Sequence, residues 1–333
     1  MPSERRLPVT YVLPIRAHSA DGLDELTDYL RWLATRVEDL VVVDGSGDAL
    51  YAEHARRWTP ALRHVRPHDD LTFVSGKVNG VVTGLREAAF DRAIVADDDV
   101  RYGSAELVRM CELLEDAHLV CPQNYFAPMP WHAIWDTGRT LVNRAFSRDL
   151  PGTLGVRRDL VLAMGGYDGD VLFENLELVR TVKAARGRVV APLDLFVRRL
   201  PPTSSHFLSQ RVRQAYDEFA RPGRMIASLA VVPAIALAPR PGRAAGVLVA
   251  LCATLAEVGR RRAGGRRVFP PAAALAAPAW AAERAVCAWL AVGARVVLGG
   301  VPYGGAVITR AANPMRRLRA RALEAQAGRD APR

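Results

Sequence analysis

The segment Ile94-Val95-Ala96-Asp97-Asp98-Asp99 constrains this chain more than any other. The apolar run Ala93 to Ala96 reads as a buried strand, and it stops at three consecutive carboxylates. Adjacent acids repel one another and are costly to order unless a cation neutralises them. Open α/β folds gather their ligands at the C-terminal edge of the sheet, and oxygen donors there suit a hard divalent cation. Asp97 and Asp99 lie two apart, so in an extended segment they share one face. An Asp-x-Asp pair uses that arrangement to hold Mg²⁺ or Mn²⁺ against a diphosphate. A solvated acidic turn is the alternative that the charges alone leave open.

The residues around this segment alternate between strand and helix patterns. Val9 to Ile15 and Leu40 to Asp44 read as strands, with a helix between them carrying Leu23, Leu26, Leu30 and Leu33 on one face. A second helix covers Ala49 to Trp58, a short strand Leu62 to Val65, and a third helix opens at Ser75 and runs through Ala89. The alternation predicts an α/β fold with a parallel, twisted sheet covered by helices on both faces.

Charge divides the chain unevenly. Residues 211–333 hold twenty Arg, no Lys and six acids, a balance of +14 against −4 for residues 1–210. Those arginines bracket apolar runs and do not interleave with aromatics, which suits a membrane surface and excludes nucleic acid as the expected partner. Cys111, Cys121, Cys252 and Cys287 form no C-x-x-C pair, so all four are expected as reduced thiols. Met1 to Leu7 is charged and carries no apolar signal segment, so the soluble part is expected in the cytosol.

Three more positions attract attention on their chemistry. Asp44 ends a strand and is placed to accept hydrogen bonds from a base or ribose. Asp-Gly is also a turn dipeptide. Lys77 and Asn79 sit at a helix start, where backbone N–H groups and a cation favour an anion. Gly45, Gly47 and Asp48 do not make a G-x-G-x-x-G fingerprint.

Taken in order, Val41-Val-Val-Asp44-Gly-Ser, Gly76-Lys77-x-Asn79-Gly80 and Asp97-Asp98-Asp99 resemble the family 2 glycosyltransferases of GT-A fold, over roughly residues 8–220. The resemblance implies a nucleotide-diphosphate sugar as donor and Mg²⁺ or Mn²⁺ as cofactor. It places Asp44 on the nucleobase, Lys77, Asn79, Asp97 and Asp98 on the nucleotide, and Asp97 and Asp99 on the metal. Gly152-Thr-Leu-Gly-Val-Arg-Arg and Gly165-Gly166-Tyr167 resemble the family's acceptor half, which leads into a helix carrying the general base. Here that helix reads Phe173-Glu174-Asn175-Leu176-Glu177, with Asn175 where the family has its Asp. An amide cannot take a proton from an acceptor hydroxyl. Glu174 and then Glu177 are the catalytic candidates that remain. Gln210-Arg211-Val212-Arg213-Gln214 is similar to the Gln-Arg-x-Arg-Trp motif of lipid-directed members, which implies that Gln210 and Arg213 grip the diphosphate. Trp131 and Trp135, four apart, either line an acceptor groove or pack in the core.

The remaining third contains two apolar runs, Met225 to Pro239 and Ala244 to Ala256, joined by Arg240-Pro-Gly-Arg243. The expectation is a membrane hairpin over 225–258, an interfacial helix over 272–296 with Trp280 and Trp289 at headgroup depth, and a basic, fraying tail over 311–333. The expected whole is a GT-A domain over 1–220 with a membrane anchor over 221–310. It would move a sugar, with inversion, to a lipid-linked or amphipathic acceptor at the cytosolic membrane face. Two alternatives remain: a scaffold that retains a sugar-nucleotide pocket without turnover, and a nucleotidyltransferase using the same acids.

Overall fold

Leu7–Ile15 (β1) is the axis of the fold: from Val9 onward every residue of it is buried. In the computed structural model, which describes residues 6–59, 61–147, 149–303 and 305–330, β1 lies between Val37–Asp44 (β2) and Arg92–Ala96 (β4), parallel to both. Leu23–Ala34 (α1) joins β1 to β2. Asp48–Trp58 (α2) leads to Arg63–Val65 (β3), which pairs parallel to β2 at the sheet edge. The helix Gly76–Glu87 (α3) then precedes β4, and the Ser75 hydroxyl caps its first turn by accepting from the Val78 N–H.

Beyond β4 the chain makes the two-residue strand Val100–Arg101 (β5), the helix Ser104–Asp116 (α4), and the strands Leu119–Val120 (β6) and Gln123–Phe126 (β7). The long helix Trp131–Phe146 (α5) follows, then Thr153–Arg157 (β8), Arg158–Ala163 (α6), Glu174–Ala184 (α7), Val189–Val190 (β9) and Phe196–Arg199 (β10). The main sheet runs β3-β2-β1-β4-β8-β6-β9, and among the described residues only β8 runs against its neighbours. The sheet is mainly parallel, as the alternation predicts, and β8 makes it the mixed, mainly parallel α/β sheet that the GT-A resemblance implies. A second sheet, β5-β10-β7, stands beside the end of β4.

The C-terminal third departs from its expected layout. The segment carrying the Gln210–Gln214 motif is broken at Gln210 into Ser204–Ser209 (α8) and Arg211–Tyr216 (α9), and ends in a 3₁₀ turn, Asp217–Ala220. Pro222–Ala236 (α10) and Pro241–Arg261 (α11) form a helical hairpin, and Pro271–Val297 (α12) returns along α5. Packing does not stop at residue 220, because α5 is gripped by both later helices. A Cβ on Gly138 of α5 would stand 2.8 Å from the Ala277 Cα of α12, and one on Gly259 of α11 would stand 1.9 Å from the Leu141 carbonyl oxygen. The alanines of α12 are there for close approach: Ala273, Ala277, Ala288 and Ala291 are fully buried. Trp280, expected at headgroup depth, is buried too, while Trp289 is half exposed.

Val301–Tyr303 (β11) and Ala306–Ile308 (β12) make a small hairpin, and the expected fraying tail is a helix, Met315–Asp330 (α13), anchored by buried Leu318. Met1 to Arg5 and the last residues of that tail, 331–333, lie outside the described residues.

Candidate active site

The three aspartates follow β4 in a turn, not in an extended segment. Asp97 and Asp99 nevertheless face one partner, because the second sheet carries it to them. Arg199, the last residue of β10, is in register with Val100 of β5, and the Leu200 N–H donates to the Asp99 carbonyl at 2.7 Å. The Arg199 guanidinium thereby donates to Asp99 Oδ2 at 2.8 Å and to Asp97 Oδ2 at 3.4 Å. Burial alone would lower the basicity of Arg199, but Asp99 and Asp97 outweigh it and hold the group above its ordinary range. Burial raises the Asp99 carboxyl, with Arg199 opposing. Asp98 is exposed at the tip of the turn.

Lys77, in the first turn of α3, reaches the same place from the other side. Its ammonium lies 2.5 Å from Asp97 Oδ1 and 3.1 Å from Glu174 Oε1. Burial opposes its charge, yet the two carboxylates hold it ionised above the usual lysine range. Glu174 opens α7, and Asn175 beside it accepts from Lys77 at 3.4 Å and donates to the Pro151 carbonyl at 3.0 Å. That second bond explains the amide: an Asp at 175 would present an acceptor to an acceptor. Gly152, the next residue, has no room for a side chain. A Cβ there would stand 2.7 Å from Asp97 Oδ2 and 3.1 Å from the Arg199 guanidinium carbon.

The donor set fits a divalent cation. Asp97 and Asp99 offer hard oxygen donors that could hold one, and Asp99 Oδ1 is buried with no hydrogen-bond partner among the described residues. From Asp99 and Arg199 a cavity of about 120 Å³ extends beneath α5, lined also by Phe126, His132, Phe207, Gln210 and Gln214.

Four expected site residues are engaged elsewhere. Asp44 ends β2 but is fully buried: its Oδ2 accepts from His54 Nδ1 at 2.6 Å and His64 Nε2 at 2.9 Å, and its Oδ1 from the Ser46 N–H at 2.8 Å. Burial would raise this carboxyl, but the bonds from His64, Ser46 and His54 hold it below the carboxylate range. Asp44, His54 and His64 have metal-ligand chemistry, and their ligand atoms converge within 4.8 Å. However, both ring nitrogens lie at N–H···O distance from one oxygen, which is the geometry of a hydrogen-bonded triad. Asn79 ties down the preceding loop through both polar atoms, accepting from the Phe73 N–H and donating to its carbonyl. Glu177 is buried one turn into α7 and accepts from the Asn313 N–H at 2.8 Å and its amide at 2.7 Å. Arg213 donates to Gln210 and lies over the Tyr303 ring, whereas Arg211 turns inward to Asp136 and Glu283.

Trp135 donates to Glu283, and Trp131 stays half exposed against Phe207 at the cavity mouth. Sequence reasoning missed Arg199, one arginine among many that only the register of β10 singles out, and it gave Arg211 no role beyond its place in the Gln210–Gln214 motif.

No family model matches the chain, and no curated protein matches it. Among solved structures it is similar to a mannosyltransferase from Pyrobaculum calidifontis in complex with GDP-Man and Mn²⁺. The identity is 20%, with a TM-score of 0.46, over 97% of this chain and 87% of that one. It is also similar to glucosyl-3-phosphoglycerate synthase from Mycobacterium tuberculosis in complex with Mn²⁺, UDP and phosphoglyceric acid, at 16% identity and a TM-score of 0.44, over 62% and 76% of the two chains. Mannosyl-3-phosphoglycerate synthase from Rubrobacter xylanophilus matches at 16% identity and a TM-score of 0.42, over 62% and 71%.

Proposed function

We propose that this chain is a metal-dependent glycosyltransferase using a nucleotide-diphosphate sugar as donor. The observation that carries the reading is the convergence of Asp97, Asp99, Lys77 and Glu174 at one sheet edge, with Asp99 Oδ1 buried and unpartnered among the described residues. Asp97 and Asp99 would hold Mg²⁺ or Mn²⁺, which supplies Lewis-acid stabilisation to a departing diphosphate. Lys77 is placed to offset the charge of that leaving group, and Arg199 keeps the two acids together. The cavity beyond Asp99 receives the acceptor, and attack from that side in one step inverts the anomeric centre.

Turnover tests this directly. The purified full chain, incubated with UDP- and GDP-sugars and Mn²⁺, is expected to release nucleoside diphosphate and to stop when EDTA is added. Pyrophosphate release would establish a nucleotidyltransferase instead. Binding of sugar nucleotide with no release of either product would establish a scaffold.

The second part of the proposal is a membrane site for a lipid-linked or amphipathic acceptor. Pro241–Arg267 is the one helical stretch among the described residues long and apolar enough to cross a bilayer. Between Met225 and Ala256 no side chain is buried, and Ile226, Val232, Leu237, Val247, Val249 and Leu251 are exposed. The last turns of α11, however, are docked on α5 at Gly259. Residues 226–236 and 241–255, which carry no buried side chain, are about 16 Å and 22 Å long, against a hydrocarbon core of about 30 Å. Arg240 and Arg243 at the tip make deep burial costly. The hairpin therefore inserts obliquely into the cytosolic leaflet and does not cross, in place of the crossing expected from composition.

A cysteine at Gly242, in a background lacking the native four, is expected to resist an impermeant thiol reagent on intact cells, while the protein floats with anionic vesicles. Labelling at 242 would restore the crossing hairpin, and failure to float would remove the membrane.

A further inference from the structure

Glu174 is not the only carboxylate at this end of the site. Asp217 begins the 3₁₀ turn that follows α9, and its Oδ1 is buried with no hydrogen-bond partner among the described residues. Gln210, Gln214 and Asp217 stand at i, i+4 and i+7, on one face of the segment. Gln210 and Gln214 line the cavity that opens from Asp99, and Asp217 follows them one turn on, behind that lining and facing Glu174.

The charged groups facing Asp217 come from four segments: Arg213 and Glu218 on its own, Glu174 at the start of α7, Arg284 of α12, and Arg221 ahead of α10. None satisfies the bare oxygen. Arg213 is bonded to Gln210 and stacked on Tyr303, and Arg221 lies over the Phe173 ring. Burial is the largest influence on the carboxyl and raises it; Arg213 opposes, and Glu174 adds to the rise. The net result is a group pushed up to about 8. Glu174 differs, since its Oε1 is already taken as an acceptor by the Lys77 ammonium.

We infer that Asp217, and not Glu174, is the catalytic residue that takes the proton from the acceptor hydroxyl. The inference rests on the transfer reaction proposed above. In that reaction the O–H proton passes to Asp217 Oδ1 as the acceptor oxygen bonds to the anomeric carbon. The bond from that carbon to the diphosphate oxygen breaks, and its electron pair leaves with the nucleoside diphosphate. Asn175 thus does not leave the site without a base, which stands on the segment after α9.

The experiment compares full-length wild type, Asp217→Asn, Asp217→Glu and Glu174→Gln. Each is assayed for Mn²⁺-dependent hydrolysis of UDP-glucose and GDP-mannose, with water as acceptor, between pH 6 and 9.5. Wild-type kcat is expected to rise with pH to a plateau above about pH 8, because the base works only when ionised. Asp217→Asn is expected to lower kcat about 100-fold or more, to abolish that limb, and to leave KM and calorimetric binding of Mn²⁺-nucleotide unchanged. Glu174→Gln keeps the limb. If Asp217→Asn fails to fold, Asp217→Glu carries the test, with a reduced kcat and the limb retained. Wild-type rate and limb in either Asp217 variant overturn the assignment alone. A wild type that binds no Mn²⁺-nucleotide overturns the transferase reading, and this assignment with it.

Discussion

Asp99→Asn is expected to yield a folded protein that has lost Mn²⁺-dependent nucleotide binding by at least about 100-fold, the scale on which changes at a metal's ligand sphere act. The fold survives because Asp99 sits in the turn after β4, outside the apolar core, and Arg199 keeps its second contact to Asp97 at 3.4 Å. Binding does not survive because the substitution removes one of the two anionic ligands and sets an amide beside Arg199. An amide offers at most one neutral oxygen where the carboxylate offers Oδ2 to Arg199 and a bare Oδ1 to the cation. Calorimetry with Mn²⁺ and UDP or GDP reads the loss, and thermal unfolding without ligand checks the fold. Wild-type binding by the variant would reduce the acidic triplet to a surface turn.

The second large effect concerns stability. Arg144 is fully buried, has no carboxylate among its hydrogen-bond partners, and is pushed down to about 10, mainly by burial and secondarily by Arg262. Its guanidinium donates to the carbonyls of Gly259, Arg262 and Leu193 and to Gln123 Oε1. Arg262 answers by donating to the carbonyls of Arg144 and Ala145. Two helix C-termini, those of α5 and α11, thus exchange arginines, each cation meeting the negative end of the other helix. Arg144→Met keeps most of the stem but orphans two buried acceptors, the Gly259 carbonyl and Gln123 Oε1, at about 1–3 kcal/mol each, a loss of roughly 2–6 kcal/mol. Arg144→Lys restores the charge but not the planar fork, and is expected to recover only part of it. Unfolding monitored by circular dichroism should show Tm lowered by about 3–9 °C for Arg144→Met. A change of a degree or two would mean that α11 is held by its apolar contacts alone.

The two halves of the fold were unequally legible from sequence. The strands β1, β2 and β4 and the helix α3 opening at Ser75 follow from local period and cap chemistry. Arg199 did not, because it meets Asp97 across 102 residues and only through the pairing of β10 with β5. Glu177 looked like a catalytic alternative because its partner, Asn313, lies 136 residues away on a segment that reads as tail. Asp44 looked open because nothing in the local pattern says that His54 and His64 turn inward onto it. The C-terminal third shows the limit of composition. Alanine and glycine serve a membrane helix and a tightly crossed soluble helix equally well, and only the Gly138–Ala277 and Gly259–Leu141 contacts show which is meant in α12 and at the end of α11.

The central claim is that the carboxylates after β4 bind a nucleotide diphosphate through a divalent cation. Thermal unfolding of the wild-type chain with UDP, GDP, UDP-glucose and GDP-mannose, each with Mn²⁺ and with EDTA, tests it most directly. A ligand at a hundred times its Kd stabilises the folded state by about 2.7 kcal/mol. At least one nucleotide is therefore expected to raise Tm by several degrees in Mn²⁺ and by nothing in EDTA. Equal shifts in Mn²⁺ and EDTA, or no shift with any of the four, would contradict the account.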